Sequence, residues 1–318
     1  AQLVLFESIY LIYHKFYKNA SELVLNNMVM MLCISMIILT RISFDKALRQ
    51  FVFVLAGTIF AFLIPLIMQK GTMFRKLTWT YAGVGILGLL SVLVVGVASR
   101  GAKLSLTFGP VSIQPSEFVK ISFVLLIAVL LRERTDIKRV LLSAVIAAVH
   151  GIILVASRDL GAALIFFVSY LMMLYVATKQ KAYLFIGLIV GFFACIAAYY
   201  LFAHVRVRVQ TWLHPFADFY GKGNQIGNSL FGIGTGGWFG QGLYKGQPSK
   251  TPEVIMDCIF TAVCEELGGI IGICLILICI ACLLMFIAVA AELYLPFYKL
   301  IGIGLTAIYG TQVFLTIG

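Results

Sequence analysis

Charge is what this sequence has least of. Only 12% of its 318 residues are Asp, Glu, Lys or Arg, while 62% are hydrophobic. A soluble domain of this length needs far more polar residues to cover its surface, so a water-soluble globular fold is excluded. Mean hydropathy is +1.04. Apolar runs of 18 or more residues recur, each long enough to cross a hydrocarbon core of about 30 Å as a helix. In lipid such a span must satisfy its own backbone hydrogen bonds. The expected fold class is therefore all-α: a polytopic transmembrane helical bundle, one membrane domain over 1–318, with a long extracytoplasmic loop at 204–256.

Acidic residues are scarcer still, 13 against 24 basic ones, for a net charge of +11. In a soluble protein that excess points to nucleic acid. Here most Lys and Arg stand in short loops between apolar runs, where they set orientation and meet anionic headgroups, so no nucleic acid partner is expected. Metal-ligand groupings are missing as well. His204 and His214 have no further ligands near them in sequence, which argues against zinc. The seven cysteines lie almost all inside apolar runs. "CIAC" at 279–282 has CxxC spacing, but with no His or second pair nearby it reads as small, soft packing residues. No cleavable signal peptide is evident, and no repeat relates the two halves. The chain opens without Met in an apolar stretch and ends on apolar "LTIG", so segments beyond both ends are expected.

Apolar runs are present at 20–40, 50–68, 77–99, 116–131, 140–157, 159–178, 182–203, 258–290 and 300–318. Residues 1–13 read as the tail of a further span, giving about nine spans and a partial one. The basic loops "QKGTMFRK" (69–76), "LRERTDIKR" (131–139) and "KQK" (179–181) fall on one side, which the positive-inside rule makes cytoplasmic. Loops 100–115 and 204–256 then face outward. "RISFDKALRQ" (41–50) dissents, with three basic residues on the outer side. The loop at 204–256 is far longer than about 15 residues, the length beyond which loops tend to be functional or disordered. Its Gly-rich, apolar stretches suggest re-entrant or interfacial helices broken by Gly, which places any site on the outer face.

Four groups of residues have chemistry to offer. Asp257, at the edge of an apolar run, reads either as a helix N-cap or as a general base at the outer surface, and the two are compatible. In "FGPVSIQPSEFVK" (108–120), Pro115 suits a first helical turn, with Gln114 or Ser116 near the cap. Glu117 and Lys120, three apart, share a face, either as a structural ion pair or as a functional pair inside the bundle. In "SRDLGAALIF" (157–166), Asp159 reads first as a cap beside an interfacial Arg158, with phosphate neutralisation by Arg158 as the functional option. The outward basic set is Arg100, Lys103, Arg206, Arg208, Lys222, Lys245 and Lys250. If these converge on one cavity they suit a diphosphate-bearing lipid, Arg206 and Arg208 being the favoured pair. Of Glu265 and Glu266, about 100° apart on a helix, at most one shares the face of Asp257.

Taken in order, five segments resemble the SEDS family (shape, elongation, division and sporulation; the RodA/FtsW/SpoVE type). They are "RGAK" (100–103), "GPVSIQPSEFVK" (109–120), "RDLGAAL" (158–164), "GNQIGNSLFGIGTGGWFGQGL" (223–243) and "PEVIMDCIFTAVCEELGG" (252–269). The resemblance implies a core of ten helices and a glycosyltransferase that polymerises lipid II into glycan strands at the outer face of the bacterial cytoplasmic membrane. It implies a class B penicillin-binding transpeptidase as partner. Asp257 falls on the essential Asp of "PE...D.IF", Glu117 and Lys120 on the Glu and Lys of "QPSEF.K", and Lys103 on the basic residue of the first loop. The chain departs from the pattern at Ser105, where the family has Trp, and at Ser157-Arg158, where it has Gln-Pro. The family's "GYQ" reads Gly223-Asn224-Gln225, and its C-terminal "PFISYGGS" loop is absent.

The expected chemistry is an inverting transfer. Asp257 deprotonates the 4-hydroxyl of the acceptor's terminal GlcNAc, which attacks the anomeric carbon of a lipid-linked MurNAc. Lys103, Glu117, Lys120, Arg158, Arg206, Arg208 and Glu265 are the expected substrate-binding residues. Among them Arg206, Arg208 and Lys120 are placed to neutralise the departing undecaprenyl diphosphate, with a divalent cation, Mg or Mn, as an optional helper. The rival readings are a flippase for the same lipid-linked precursor and a non-catalytic scaffold for a transpeptidase.

Overall fold

The computed structural model describes residues 2–17, 20–68, 77–99, 102–108, 111–132 and 135–317. Among the described residues, eight helices are long and apolar enough to cross a membrane. This is an all-α, multi-pass membrane protein. The chain forms two compact units, one of Ala1–Gln69, Phe193–Cys282 and Ile317, the other of Lys70–Phe192, Leu283–Thr316 and Gly318. The loop 69–76, Arg100 and Arg134 lie outside the described residues, as does the side chain of Lys103.

The first unit opens with α1 (Gln2–Phe16), α2 (Glu22–Ile42) and α3 (Phe44–Met68). Ser21 caps α2 by accepting from the Val24 N–H at 3.5 Å, with Glu22 in the first turn suiting the positive helix end. Phe6 and Ile9 of α1 pack with Leu25, Met36 and Leu39 of α2 and Ala47 of α3. Only Ser43, in extended conformation, separates α2 from α3. The stretch 41–50, expected as a loop, is a helix corner and the first turns of α3.

The expected loop 204–256 carries α9 (Ala203–Leu213), α10 (Asn224–Gly236) and a 3-10 turn at Pro248–Lys250, α8 being Lys181–Leu201. The apolar run 258–290, which reads as one span, is two helices, α11 (Ile259–Leu267) and α12 (Gly269–Glu292). They break at Gly268, whose φ of +96° belongs to the left-handed region. A segment after α10 is laid across the break. Gly237 and Trp238 carbonyls accept from the N–H groups of Gly269 (2.8 Å) and Ile270 (3.2 Å). The N–H groups of Gln241 (2.9 Å) and Gly242 (3.0 Å) donate to the carbonyls of Glu265 and Glu266. One loop thus satisfies backbone groups that both helix ends leave open. A Cβ on Gly268 would come within 2.4–2.5 Å of Trp238 O, Gly240 N and Phe239 C. Gly268→Ala is expected to lower stability by at least about 1–3 kcal/mol from backbone strain alone, read as a lower thermal midpoint in detergent.

In the second unit, α4 (Thr78–Val95) leads into β1 (Val97–Ser99), β2 (Ala102–Phe108) and β3 (Val111–Ile113), an antiparallel sheet of order β1-β2-β3 where the sequence suggests only a loop. Then come α5 (Pro115–Leu131), α6 (Ile137–Ala156), α7 (Leu160–Thr178) and, nearer the C-terminus, α13 (Pro296–Ile317). α5 is the core element, with Phe123, Val124, Leu126, Ile127 and Ala128 at 1% exposure or less. Pro115 stands at its start with Gln114 at the N-cap, where the sequence puts them. On α6, His150 is fully buried, stacks near Phe166 and holds the Ile146 carbonyl through Nδ1 at 2.9 Å.

Candidate functional site

In the first unit, Pro252 and Glu253 set the geometry before α11. Glu253 adopts a left-handed φ of 56°. Its carbonyl then receives three successive N–H groups, from Met256 (2.9 Å), Asp257 (3.1 Å) and Cys258 (3.4 Å). The turn is pinned from below by Val254, buried with Ile38 of α2 and with Ala262 and Val263 of α11. Asp257 ends up exposed on this turn. The N-cap of α11 is Cys258, whose side chain makes no capping hydrogen bond. The cap reading of Asp257 is therefore corrected: the tight turn at Glu253 moves the carboxylate one position outside the helix start.

The same unit holds an open cleft of about 400 Å³ walled by α10, the loop after it, the 3-10 turn and α11. Glu265 and Lys250 line it, together with Phe231, Thr235, Gln241 and Gln247. Glu265 is buried and its Oε1 accepts from the Gln247 N–H at 2.7 Å. Asp257 does not line this cleft. Glu266 points elsewhere, as the 100° offset between adjacent helix positions requires. It is 1% exposed, with Oε1 3.0 Å from Arg41 Nε. That contact lies off the N–H axis, so it is a charge contact rather than a directed hydrogen bond. The guanidinium also donates to the Gly246 carbonyl at 3.2 Å and sits 4.8 Å from the centre of the Tyr244 ring. Neither Arg41 nor Glu266 was expected in this role. The signal was there in the dissenting charge of 41–50: Arg41 is neutralised inside the protein and does not count as a loop charge.

The expected pair Arg206 and Arg208 does not converge. Both stand on α9, where residues two apart point roughly 200° from each other. Arg206 donates to the Tyr200 carbonyl at 3.0 Å and lies over the Tyr199 ring at 5.9 Å, while Arg208 is exposed, with no hydrogen bond or ion pair among the described residues. Of the outward basic set, Lys250 is the member among the described side chains that lines the cleft. The CxxC cysteines face α2: Cys279 Sγ is 3.8 Å from Met31 Sδ, and the Cys282 sulfur accepts from Asn27 Nδ2 at 3.6 Å. Among the described residues no three of His, Cys, Asp or Glu gather into a protein-only metal cage.

In the second unit, Lys120 is 4% exposed and its Nζ donates to Glu117 Oε1 at 2.8 Å and to Gln312 Oε1 at 3.5 Å. The pairing expected from the spacing of three is thus present. Asp159 is the N-cap of α7, its Oδ1 accepting from the Ala162 N–H at 3.0 Å. Arg158 is exposed at the corner with a left-handed φ of 63°. Lys103 is in β2, opposite Ala98. Asp159→Ala is expected to cost at least the cap, about 0.5–2 kcal/mol, seen as a modest fall in the thermal midpoint.

The profile of the FtsW/RodA/SpoVE cell cycle proteins matches residues 15–318. The chain belongs to this family. Over 255 residues it is 35% identical to a peptidoglycan glycosyltransferase RodA of Mycobacterium tuberculosis, covering 74% of this chain and 54% of that protein. It is 31% identical over 270 residues to a probable peptidoglycan glycosyltransferase FtsW of Aliivibrio salmonicida, covering 81% of this chain and 66% of that one. The chain therefore spans about half the length of the first of these curated FtsW/RodA relatives. The fold matches a crystal structure of the rod-shape-determining protein RodA of Thermus thermophilus, with a TM-score of 0.66 at 19% identity over 94% of this chain and 84% of that one. It also matches a chain of a peptidoglycan synthase complex, with a TM-score of 0.67 at 20% identity over 100% of this chain and 85% of that one.

Proposed function

We propose that this protein is an inverting peptidoglycan glycosyltransferase that polymerises lipid II into glycan strands at the outer face of the cytoplasmic membrane. The observation that carries the reading is Asp257: an exposed carboxylate on a turn held by the Glu253 carbonyl, one position before the N-cap of α11. The chain as a whole is similar to relatives that are named for this activity. Asp257 takes the proton of the acceptor's 4-hydroxyl as that oxygen bonds to the donor's anomeric carbon. The bond to the diphosphate breaks with inversion, and the lipid diphosphate leaves carrying its electron pair. Of the expected cationic trio, Lys120 is neutralised by Glu117, while Arg206, bonded only to a neutral carbonyl, and Arg208 are exposed and keep their charge for the leaving diphosphate. A divalent cation carried on the diphosphate would need only one or two carboxylates from the protein.

A class B transpeptidase is the proposed partner. The structurally similar chain comes from a complex described as coordinating polymerisation with crosslinking, which supports this. The test is a gel assay of the full chain in detergent with lipid II, with and without an added class B transpeptidase. Glycan ladders support the glycosyltransferase, and no product under any condition favours the flippase or scaffold.

A further inference from the structure

The cleft walled by α10 and α11 holds two opposite charges that do not meet. Glu265 Oε1 is held by the Gln247 N–H, and Oε2 has no hydrogen bond among the described residues. Lys250, exposed, lines the same 400 Å³ space and its side chain makes no hydrogen bond or ion pair among the described residues. In this open cleft the buried Glu265 offers an acceptor and the exposed Lys250 a donor to anything held between them. The rest of the lining is neutral: the amides of Gln241 and Gln247, the Thr235 hydroxyl, and the half-exposed ring of Phe231. A few placed polar groups around an aromatic face are how pockets fix the orientation of a small ligand. A guest that donates and accepts through many hydroxyls, carries no net charge and presents an apolar ring face fits all six groups. That is the chemistry of a pyranose.

We propose that this cleft is a saccharide subsite, separate from Asp257, which takes N-acetylated hexose units of the growing strand. The assignment rests on the glycosyltransferase reading for its biological guest, and on the cleft's own groups for the class of ligand. Gln247 is doubly engaged: Glu265 holds its backbone, which fixes the position of its side-chain amide at the rim.

The test uses the full chain in detergent and tri-N-acetylchitotriose as probe, followed by saturation-transfer NMR. The wild type is expected to bind it. Lys250→Met, which breaks no side-chain hydrogen bond or ion pair among the described residues, is expected to weaken binding by about tenfold or more, the usual loss for a hydrogen bond to a charged group. Asp257→Asn is expected to bind as the wild type does. No saturation transfer, unchanged binding in Lys250→Met, or displacement of the sugar by a zwitterionic tetrapeptide of similar size overturns the proposal. A polymerising enzyme whose cleft ignores the trisaccharide sinks the subsite alone. A cleft that binds sugar in a protein that makes no glycan sinks the activity alone.

Discussion

Asp257→Asn is expected to abolish glycan synthesis while leaving the fold intact. Removing a positioned general base typically costs about 10²–10⁴ in rate. The substitution keeps the size of the side chain and removes only its basicity. The effect on the fold should be small, because the turn does not depend on the side chain alone. Asp257 is exposed, the cap of α11 belongs to Cys258, and the turn is held by the Glu253 carbonyl and by buried Val254. The thermal midpoint should therefore match the wild type while the gel shows no ladder. Normal polymerisation by purified Asp257→Asn would show that the proton goes to another group.

Arg41→Met is expected to produce the largest loss of stability. It strips Glu266, 1% exposed, of its counter-charge and leaves both carboxylate oxygens buried. Breaking a buried ion pair from one side costs about 3–5 kcal/mol, because the remaining charge has neither water nor partner. The damage should spread to the cleft, since Arg41 also holds the Gly246 carbonyl next to Gln247. Replacing both partners with apolar residues removes the stranded charge, so Arg41→Met combined with Glu266→Met should recover much of the stability. Thermal unfolding of the four proteins in detergent measures the cycle. Equal stability of Arg41→Met and wild type would mean that the pair contributes nothing.

Within α5 the sequence is a faithful guide. Pro115 at the first turn and Glu117 three before Lys120 are local patterns, and a helix turns local spacing directly into contact. Asp159 as a cap is local too. The reading fails where spacing does not carry the contact. Arg206 and Arg208 are neighbours in the chain and opposed in space, because they stand on a helix and not in a loop. The run 258–290 has the hydropathy of one span, but Gly268 is needed to let another backbone cross it, and hydropathy does not register backbone crossings.

The sequence by itself determined that this is a membrane protein, where most of its helices run, and which family it belongs to. Apolar length meets the thickness of a bilayer with no need of a partner segment, and the family's motifs are contiguous words. It also singled out Asp257. Only the tertiary structure decided that Asp257 leaves the cap, that Glu265 and Lys250 face one cleft, and that Arg41 reaches Gly246 from 205 positions away. Those contacts join residues whose separation follows no helical period, and nothing short of the folded chain brings them together.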